Sequence, residues 1–230
     1  MDRRTGNLLE LLRAARARLA RLQAPELARF LDEWPRWACA AAPPRRRAAR
    51  PLPVLRFLAD AVARSRVLDQ RLAAALARAV PDLLWRQTYS KTQVDPRFLA
   101  NYAWTEFLGP HAPVRCARLS CGLLLLGPGI HYPGHRHPAE EIYVPLAGTA
   151  EWQRGREPWT VRLPGAAILH ESGEIHAMRT GTEPLLALYL WRGGGLDRSA
   201  RLVAAVAAEH GRGLIEPMRL RHGGAAIVGT

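Results

Sequence analysis

The sequence predicts a fold that is mainly β with an α-helical N-terminal extension. Up to about residue 110, apolar side chains recur at three- and four-residue intervals, which is the spacing of one helix face. After about residue 113, short segments rich in Val, Leu, Ile, Tyr and Trp alternate with Gly and Pro, which favours an antiparallel barrel or sandwich. We expect a helical region over 1–110, a β-barrel over 111–195, and a C-terminal helix and tail over 196–230.

Helical spacing begins at Leu8 and predicts a first helix over 8–22. Pro25 suits the first turn of a second helix, which runs to about Ala42 and stops at two prolines. The segment 43–53 contains four arginines and four prolines and is interpreted as an exposed basic loop. Further helices are predicted over 54–64, 67–80 and 96–108, and Asp95 caps the last of these.

The second half carries seven candidate strands and a final helix. The strands are predicted at 115–126, 141–146, 149–153, 159–163, 166–170, 175–178 and 185–191. The helix is predicted over 197–210, before a Gly-rich tail.

The formal net charge of +13 is concentrated in the helical half, because residues 1–100 carry a net +11 and residues 101–230 a net +2. Lys91 is the only lysine, and Arg interleaved with Ala is typical of a solvated helix face, so we expect no nucleic-acid partner. No apolar run approaches the ~18 residues of a membrane span. Cys39, Cys116 and Cys121 form no CxxC pair, and we expect reduced thiols in a cytoplasmic protein.

Histidines and a glutamate cluster between residues 129 and 176. His135 and His137 are two apart on an extended segment and therefore point the same way, and Glu141 and His176 follow. Imidazole and carboxylate ligands in this arrangement can hold one divalent transition metal ion and leave positions open for a substrate.

This spacing resembles the first motif of the cupin family, which runs glycine, five residues, His-x-His, three residues, glutamate, six residues, glycine. The sequence supplies Gly129, His135, His137, Glu141 and Gly148 at those positions. The turn at 164–165 and the histidine at 176 resemble the second motif, which departs from the family where a histidine, at 170, replaces a common proline. The resemblance implies a single cupin barrel, that is, a double-stranded β-helix or jelly roll.

Two tyrosines make the resemblance narrower. Tyr132 precedes the first histidine, Tyr143 follows Glu141 by two residues, and His176 opens the segment His-Ala-Met-Arg-Thr. With a helical extension before one barrel, the chain resembles the bacterial cupin-type dimethylsulfoniopropionate (DMSP) lyases. That resemblance implies cleavage of DMSP, a small sulfonium carboxylate, to acrylate and dimethyl sulfide with Zn, Fe(II), Mn or Ni. In this family Tyr143 can approach the metal, and His135 can serve the substrate instead.

The residues fit such an elimination, which needs a base and a Lewis acid. A phenol is protonated at pH 7 unless a nearby cation favours its ionised form, so Tyr143 beside a metal is the candidate base and Tyr132 the competing one. If Glu141 faces the barrel interior, Tyr143 does too, and the opposite face of that strand is apolar and requires a cover from the helices.

Aromatic faces attract a sulfonium cation, so Trp191 and Tyr189, which share one strand face, are candidate substrate-binding residues beside Tyr132 and His135. Core packing explains the two aromatic residues equally well. Other functions stay open: a different metal-dependent cupin enzyme, such as a dioxygenase or a sugar isomerase, or a ligand sensor whose basic helical half binds nucleic acid. The sequence leaves both a monomer and a homodimer open.

Overall fold

The computed structural model describes residues 2–35 and 52–203. Five helices lie at α1 Arg3–Leu19, α2 Ala28–Asp32, α3 Leu58–Arg64, α4 Gln70–Ala79 and α5 Pro96–Leu99. Eleven strands follow at β1 Tyr102–Gly109, β2 Val114–Arg115, β3 Leu119–Leu126, β4 His131–Arg136, β5 Glu140–Ala147, β6 Ala150–Arg154, β7 Thr160–Arg162, β8 Ile168–His170, β9 His176–Thr180, β10 Leu185–Arg192 and β11 Arg201–Leu202.

The strands form two sheets, with the order β2-β1-β3-β10-β5-β8 in the larger and β11-β4-β9-β6-β7 in the smaller. Every pairing is antiparallel except the short parallel contact of β1 with β2. Consecutive strands β4, β5 and β6 alternate between the sheets, as expected of a jelly roll. The predicted fold class, mainly β with a helical N-terminal extension, is confirmed.

The helices cover the outer face of the larger sheet. One continuous apolar cluster joins buried leucines of α1 and α4 to Ile142, Val144 and Leu146 of β5 and to Leu188 of β10. These β5 residues alternate with the interior-facing Glu141 and Tyr143, so the predicted helical cover of this face is confirmed. The helices therefore hold the outer face of the strands whose inner face carries Glu141 and Tyr143.

Local capping explains where α1 begins. The Asp2 side chain accepts hydrogen bonds from the backbone N–H groups of Arg4 and Thr5, so the helix starts at Arg3 and not at Leu8 as predicted. The second predicted helix is a 3-10 turn followed by α2, which ends at Asp32, three residues before Pro35. Residues 36–42 of that prediction, including Cys39, and most of the predicted loop 43–53 lie outside the described residues.

The helix predicted over 96–108 is wrong beyond its first turn. Asp95 caps α5 through the N–H of Arg97, but α5 ends at Leu99 and Tyr102–Gly109 forms β1. Because β1 is covered by helices on one side and faces the second sheet on the other, it carries apolar side chains on both faces beside the polar Thr105 and Glu106, and these give no alternating pattern. Strands therefore begin within the 1–110 region that was predicted to be helical.

The C-terminal helix predicted over 197–210 is wrong in its described part, because residues 196–198 form a turn and Arg201–Leu202 pairs with β4 as β11. Residues 204–230 lie outside the described residues. The division into units 1–110, 111–195 and 196–230 stays a prediction.

Candidate metal centre and its pocket

The inner faces of the two sheets enclose a second, aromatic-rich cluster with a pocket of about 270 Å³. Its wall includes aromatic side chains from β1, β4, β5 and β10. It also includes two buried site residues, His135 and Glu141, and exposed residues of the turn before β11, among them Asp197.

Three buried side chains in this interior form a compact group of potential metal ligands: His137, Glu141 and His176, with one ligand atom from each within 4.8 Å of the others. Glu141 Oε2 lies 2.9 Å from His137 Nε2 and 3.1 Å from His176 Nε2. His137 directly follows β4, Glu141 belongs to β5 and His176 begins β9, so both sheets contribute.

The main chain fixes which nitrogen of each histidine faces this group. His137 Nδ1 lies 2.9 Å from the carbonyl oxygen of Ala139, and His176 Nδ1 lies 3.0 Å from that of Glu174. Since a carbonyl only accepts, each Nδ1 carries a proton and each Nε2 faces Glu141, where it donates to the carboxylate when it is protonated and offers a lone pair to a metal ion when it is not. Metal-bound histidines are commonly oriented in this way.

Glu141 is the centre of the group, and both of its oxygens are engaged. Trp191 Nε1 donates to Glu141 Oε1 at 2.6 Å, and the Trp191 ring stacks on His137 with centroids 4.1 Å apart. Burial acts to raise the pKa of Glu141, but His137 and His176 together hold it well below its usual range. The carboxylate is therefore ionised at neutral pH.

These residues fit a divalent transition metal. Two imidazole lone pairs and a carboxylate oxygen are all acceptors, and they converge in a buried place where a cation offsets their mutual repulsion. His176 Nε2 is buried without a hydrogen-bond partner among the described residues, as expected of an atom whose partner is an ion.

His135, the fourth predicted ligand, lies beside the group and outside it. Its ring centroid is 4.1 Å from that of His176, whereas the centroids of His135 and His137 are 6.5 Å apart. His135 Nδ1 lies 2.9 Å from the Pro133 carbonyl oxygen, so its Nε2 also presents a lone pair. Burial, followed by the nearby His176, lowers the pKa of His135 well below its usual value, so this imidazole is neutral.

The two candidate base tyrosines occupy different surroundings within the pocket wall. Tyr143 lies two residues from Glu141 on the same face of β5, and burial followed by the Glu141 charge raises its pKa well above 10. Tyr132 stacks on His135 with centroids 4.0 Å apart, and its hydroxyl lies 3.0 Å from the Tyr89 hydroxyl. Burial raises the pKa of Tyr132 as well.

The structure also brings both predicted sulfonium-binding residues, Tyr189 and Trp191, to the pocket wall. Their substrate-binding roles stay predictions, as do the individual roles of Tyr132, His135 and Tyr143. The bond from Trp191 to Glu141 was not foreseen. It follows from the register, because Trp191 pairs directly with Glu141 across β10 and β5.

Sequence reasoning missed two other residues that belong to this region. Tyr89 comes from the irregular segment after α4, where no motif marked it. Glu106 lines the pocket from β1, which was assigned to a helix.

Among the described residues, no helix combines the length and the apolar character that crossing a membrane requires.

Two curated proteins are similar to part of the chain. The DMSP lyase DddQ of Ruegeria pomeroyi is 38% identical over 109 residues, which is 47% of this chain and 54% of that protein. The putative DMSP lyase DddL of Cereibacter sphaeroides is 38% identical over 127 residues, which is 54% of this chain and 52% of that protein. The matches thus span about half the length of these relatives.

Solved structures match over a larger share of the chain. A chain from the crystal structures of the DMSP lyases RdDddP and RnDddQII aligns with a TM-score of 0.73 at 32% identity, covering 86% of this chain and 98% of that one. The crystal structure of DddQ from Ruegeria pomeroyi aligns with a TM-score of 0.67 at 30% identity, covering 88% and 98%. The model of the dimethylsulfoniopropionate lyase family matches residues 29–187, and the chain therefore belongs to that family.

Proposed function

We propose that the protein is a metal-dependent lyase that cleaves DMSP to acrylate and dimethyl sulfide by β-elimination. The observation that carries the proposal is the buried group of His137, Glu141 and His176 beside the pocket that Tyr143 lines, in a chain of the DMSP lyase family. We expect a cytoplasmic enzyme with a small-molecule substrate and no nucleic-acid partner.

His137, Glu141 and His176 are the residues that would hold the metal, and His135 is the fourth candidate. A divalent ion bound there would supply a Lewis acid that stabilises negative charge on the substrate carboxylate. The donor set of two imidazoles and one carboxylate suits Zn, Fe(II), Mn or Ni.

Tyr143 is the proposed base. Its hydroxyl is protonated in the metal-free protein, because burial and the Glu141 charge disfavour the phenolate. Tyr143 therefore ionises only when positive charge near Glu141 offsets both effects, which makes proton abstraction dependent on an occupied metal site.

The elimination balances with one base. Tyr143 Oη takes a proton from the carbon next to the substrate carboxylate, and the electron pair of that C–H bond forms the new C=C bond. The C–S bond breaks with its pair on sulfur, so the sulfonium leaves as neutral dimethyl sulfide and needs no general acid. Acrylate remains.

Tyr132 and His135 are proposed to bind the substrate. The hydrogen bond between the Tyr132 and Tyr89 hydroxyls orients the phenol, and its stacking on His135 couples the two side chains. Tyr132 is also the competing base, since it reaches the same pocket.

The test is a headspace and liquid-chromatography assay of metal-loaded protein with DMSP. We expect dimethyl sulfide and acrylate in equal amounts, and a loss of about 10²–10⁴-fold in kcat for Tyr143→Phe, the usual range for removal of a general base. Tyr102→Phe, which also removes a buried hydroxyl from the pocket wall, is the matched control and should lose much less.

No product from the loaded wild-type protein would refute the substrate assignment. Full turnover by Tyr143→Phe together with a large loss in Tyr132→Phe would transfer the role of base to Tyr132.

A further inference from the structure

Glu106 is a carboxylate in the pocket wall that the proposed chemistry does not use. It lies on β1, on the same face as Tyr102 and Trp104, and all three line the pocket. Apart from the metal ligand Glu141, Glu106 is the only carboxylate that a strand of the described residues contributes to the pocket wall.

The Glu106 carboxylate has few partners for a partly buried charge. Ser120 Oγ donates to Glu106 Oε1 at 2.7 Å, and no Arg, Lys or His nitrogen in the described ranges lies within 4.0 Å of either oxygen. Burial raises the pKa of Glu106, and the nearby Arg86, His111 and Arg115 oppose this only in part, because they form no ion pair with it. An ionised carboxylate in this position costs free energy unless a cation offsets its charge.

The strand register places Glu106 in line with Tyr143 across the larger sheet. Glu106 pairs with Gly122 of β3, Gly122 pairs with Tyr189 of β10, and Tyr189 pairs with Tyr143 of β5. Three inter-strand spacings of about 4.8 Å therefore separate the backbones of Glu106 and Tyr143.

Gly122 lets the Tyr189 ring lie between these two positions. A Cβ on Gly122 would collide with the Thr105 carbonyl oxygen and come within 2.5 Å of the Tyr189 ring, so only glycine lets the ring approach β3 this closely. The result is an aromatic face with the Glu106 carboxylate on one side and the metal ligands and Tyr143 on the other.

We propose that Glu106 determines substrate specificity by binding the sulfonium end of the substrate, beside the ring of Tyr189. This inference rests on the proposed function, because it assigns the second end of the same substrate. A sulfonium has a permanent positive charge and no N–H or O–H to donate, so an aromatic face and an unpaired carboxylate are the partners that recognise it.

The test separates charge from shape with two ligands that do not react. The first is 3-(trimethylammonio)propanoate, and the second is 4,4-dimethylpentanoate, which has the same shape without the positive charge. Calorimetric titration of the metal-loaded protein gives the ratio of their affinities. We expect Glu106→Gln, which keeps the acceptor for Ser120, to reduce the preference for the cationic ligand by about tenfold. The KM for DMSP should rise similarly, with a smaller change in kcat.

Asp197→Asn is the matched control, because Asp197 is an exposed carboxylate at the same pocket. The ratio should remain unchanged there. A change below threefold in Glu106→Gln, or an equal change in Asp197→Asn, would overturn the assignment. Both titrations are independent of turnover, so a failure of the lyase proposal, seen as no dimethyl sulfide from DMSP, is distinguished from a failure of this one.

Discussion

Removing the indole N–H of Trp191 should weaken metal binding without removing any ligand. Trp191→Phe deletes the donor that lies 2.6 Å from Glu141 Oε1 and keeps an aromatic ring against His137. A hydrogen bond to a charged acceptor is worth about 1.5–3 kcal/mol, which corresponds to roughly 10–150-fold in an equilibrium constant. Loss of a group that orients a metal ligand typically costs about 10–100-fold in affinity, and the two ranges agree.

The assay is a competition titration in which a chelator of known affinity and the protein share a limiting amount of Zn²⁺, in the absence of substrate. The apparent Kd of Trp191→Phe should rise about 10–100-fold. Trp152→Phe is the matched control, since Trp152 is buried in the same interior and its Nε1 has no partner among the described residues. A Kd for Trp191→Phe within threefold of wild type, or an equal weakening in Trp152→Phe, would rule out this role for the Trp191 indole N–H.

Three further predictions concern stability and thiol reactivity. Phe30→Ala should lower the free energy of unfolding, measured by urea titration, by about 3–5 kcal/mol, because Phe30 is fully buried between α2 and the larger sheet. Arg29→Ala should lower it by less than about 1 kcal/mol, because Arg29 is partly exposed where it pairs with acidic groups of the barrel. Equal losses would contradict the packing described. Burial lowers the pKa of His170 to about 4, whereas the unfolded chain protonates this residue near pH 6.5. Thermal melts should therefore show that wild type loses stability more steeply than His170→Gln as the pH falls from about 6.5 to about 4. Parallel curves would show that His170 is not held neutral. Burial raises the pKa of the Cys121 thiol, which therefore should not react with iodoacetamide in the folded protein. Peptide mapping should find Cys121 unmodified and the half-exposed Cys116 alkylated. Rapid labelling of Cys121 would refute its burial.

The fold class and the metal group were predictable because their signals are local. Strong alternation in β5 placed Glu141 and Tyr143 on one face and an apolar row on the other, and the structure confirms this division. The His-x-His spacing placed both imidazoles on one side of an extended chain, although only His137 joins the compact ligand group. The position of His135 depends on its stacking with Tyr132, which sequence spacing does not encode.

The parts that were missed depend on contacts distant in sequence. Residues 102–109 carry apolar groups on both faces, and only their pairing with β3 makes them a strand. Glu106 consequently went unnoticed, although it faces the pocket. Pro35 was the overlooked local signal for the early end of α2.

The most direct test of a metal-dependent DMSP lyase is how the release of dimethyl sulfide depends on the bound ion. The protein is stripped with a chelator, and the rate of release from DMSP is followed in the headspace as Zn²⁺, Mn²⁺, Fe²⁺ or Ni²⁺ is added back. We expect no release from the stripped protein and, for at least one ion, a rate that rises until one equivalent is bound and then stays constant. Release that continues unchanged after the metal has been removed, or that never appears with any of the four ions bound, would contradict this expectation.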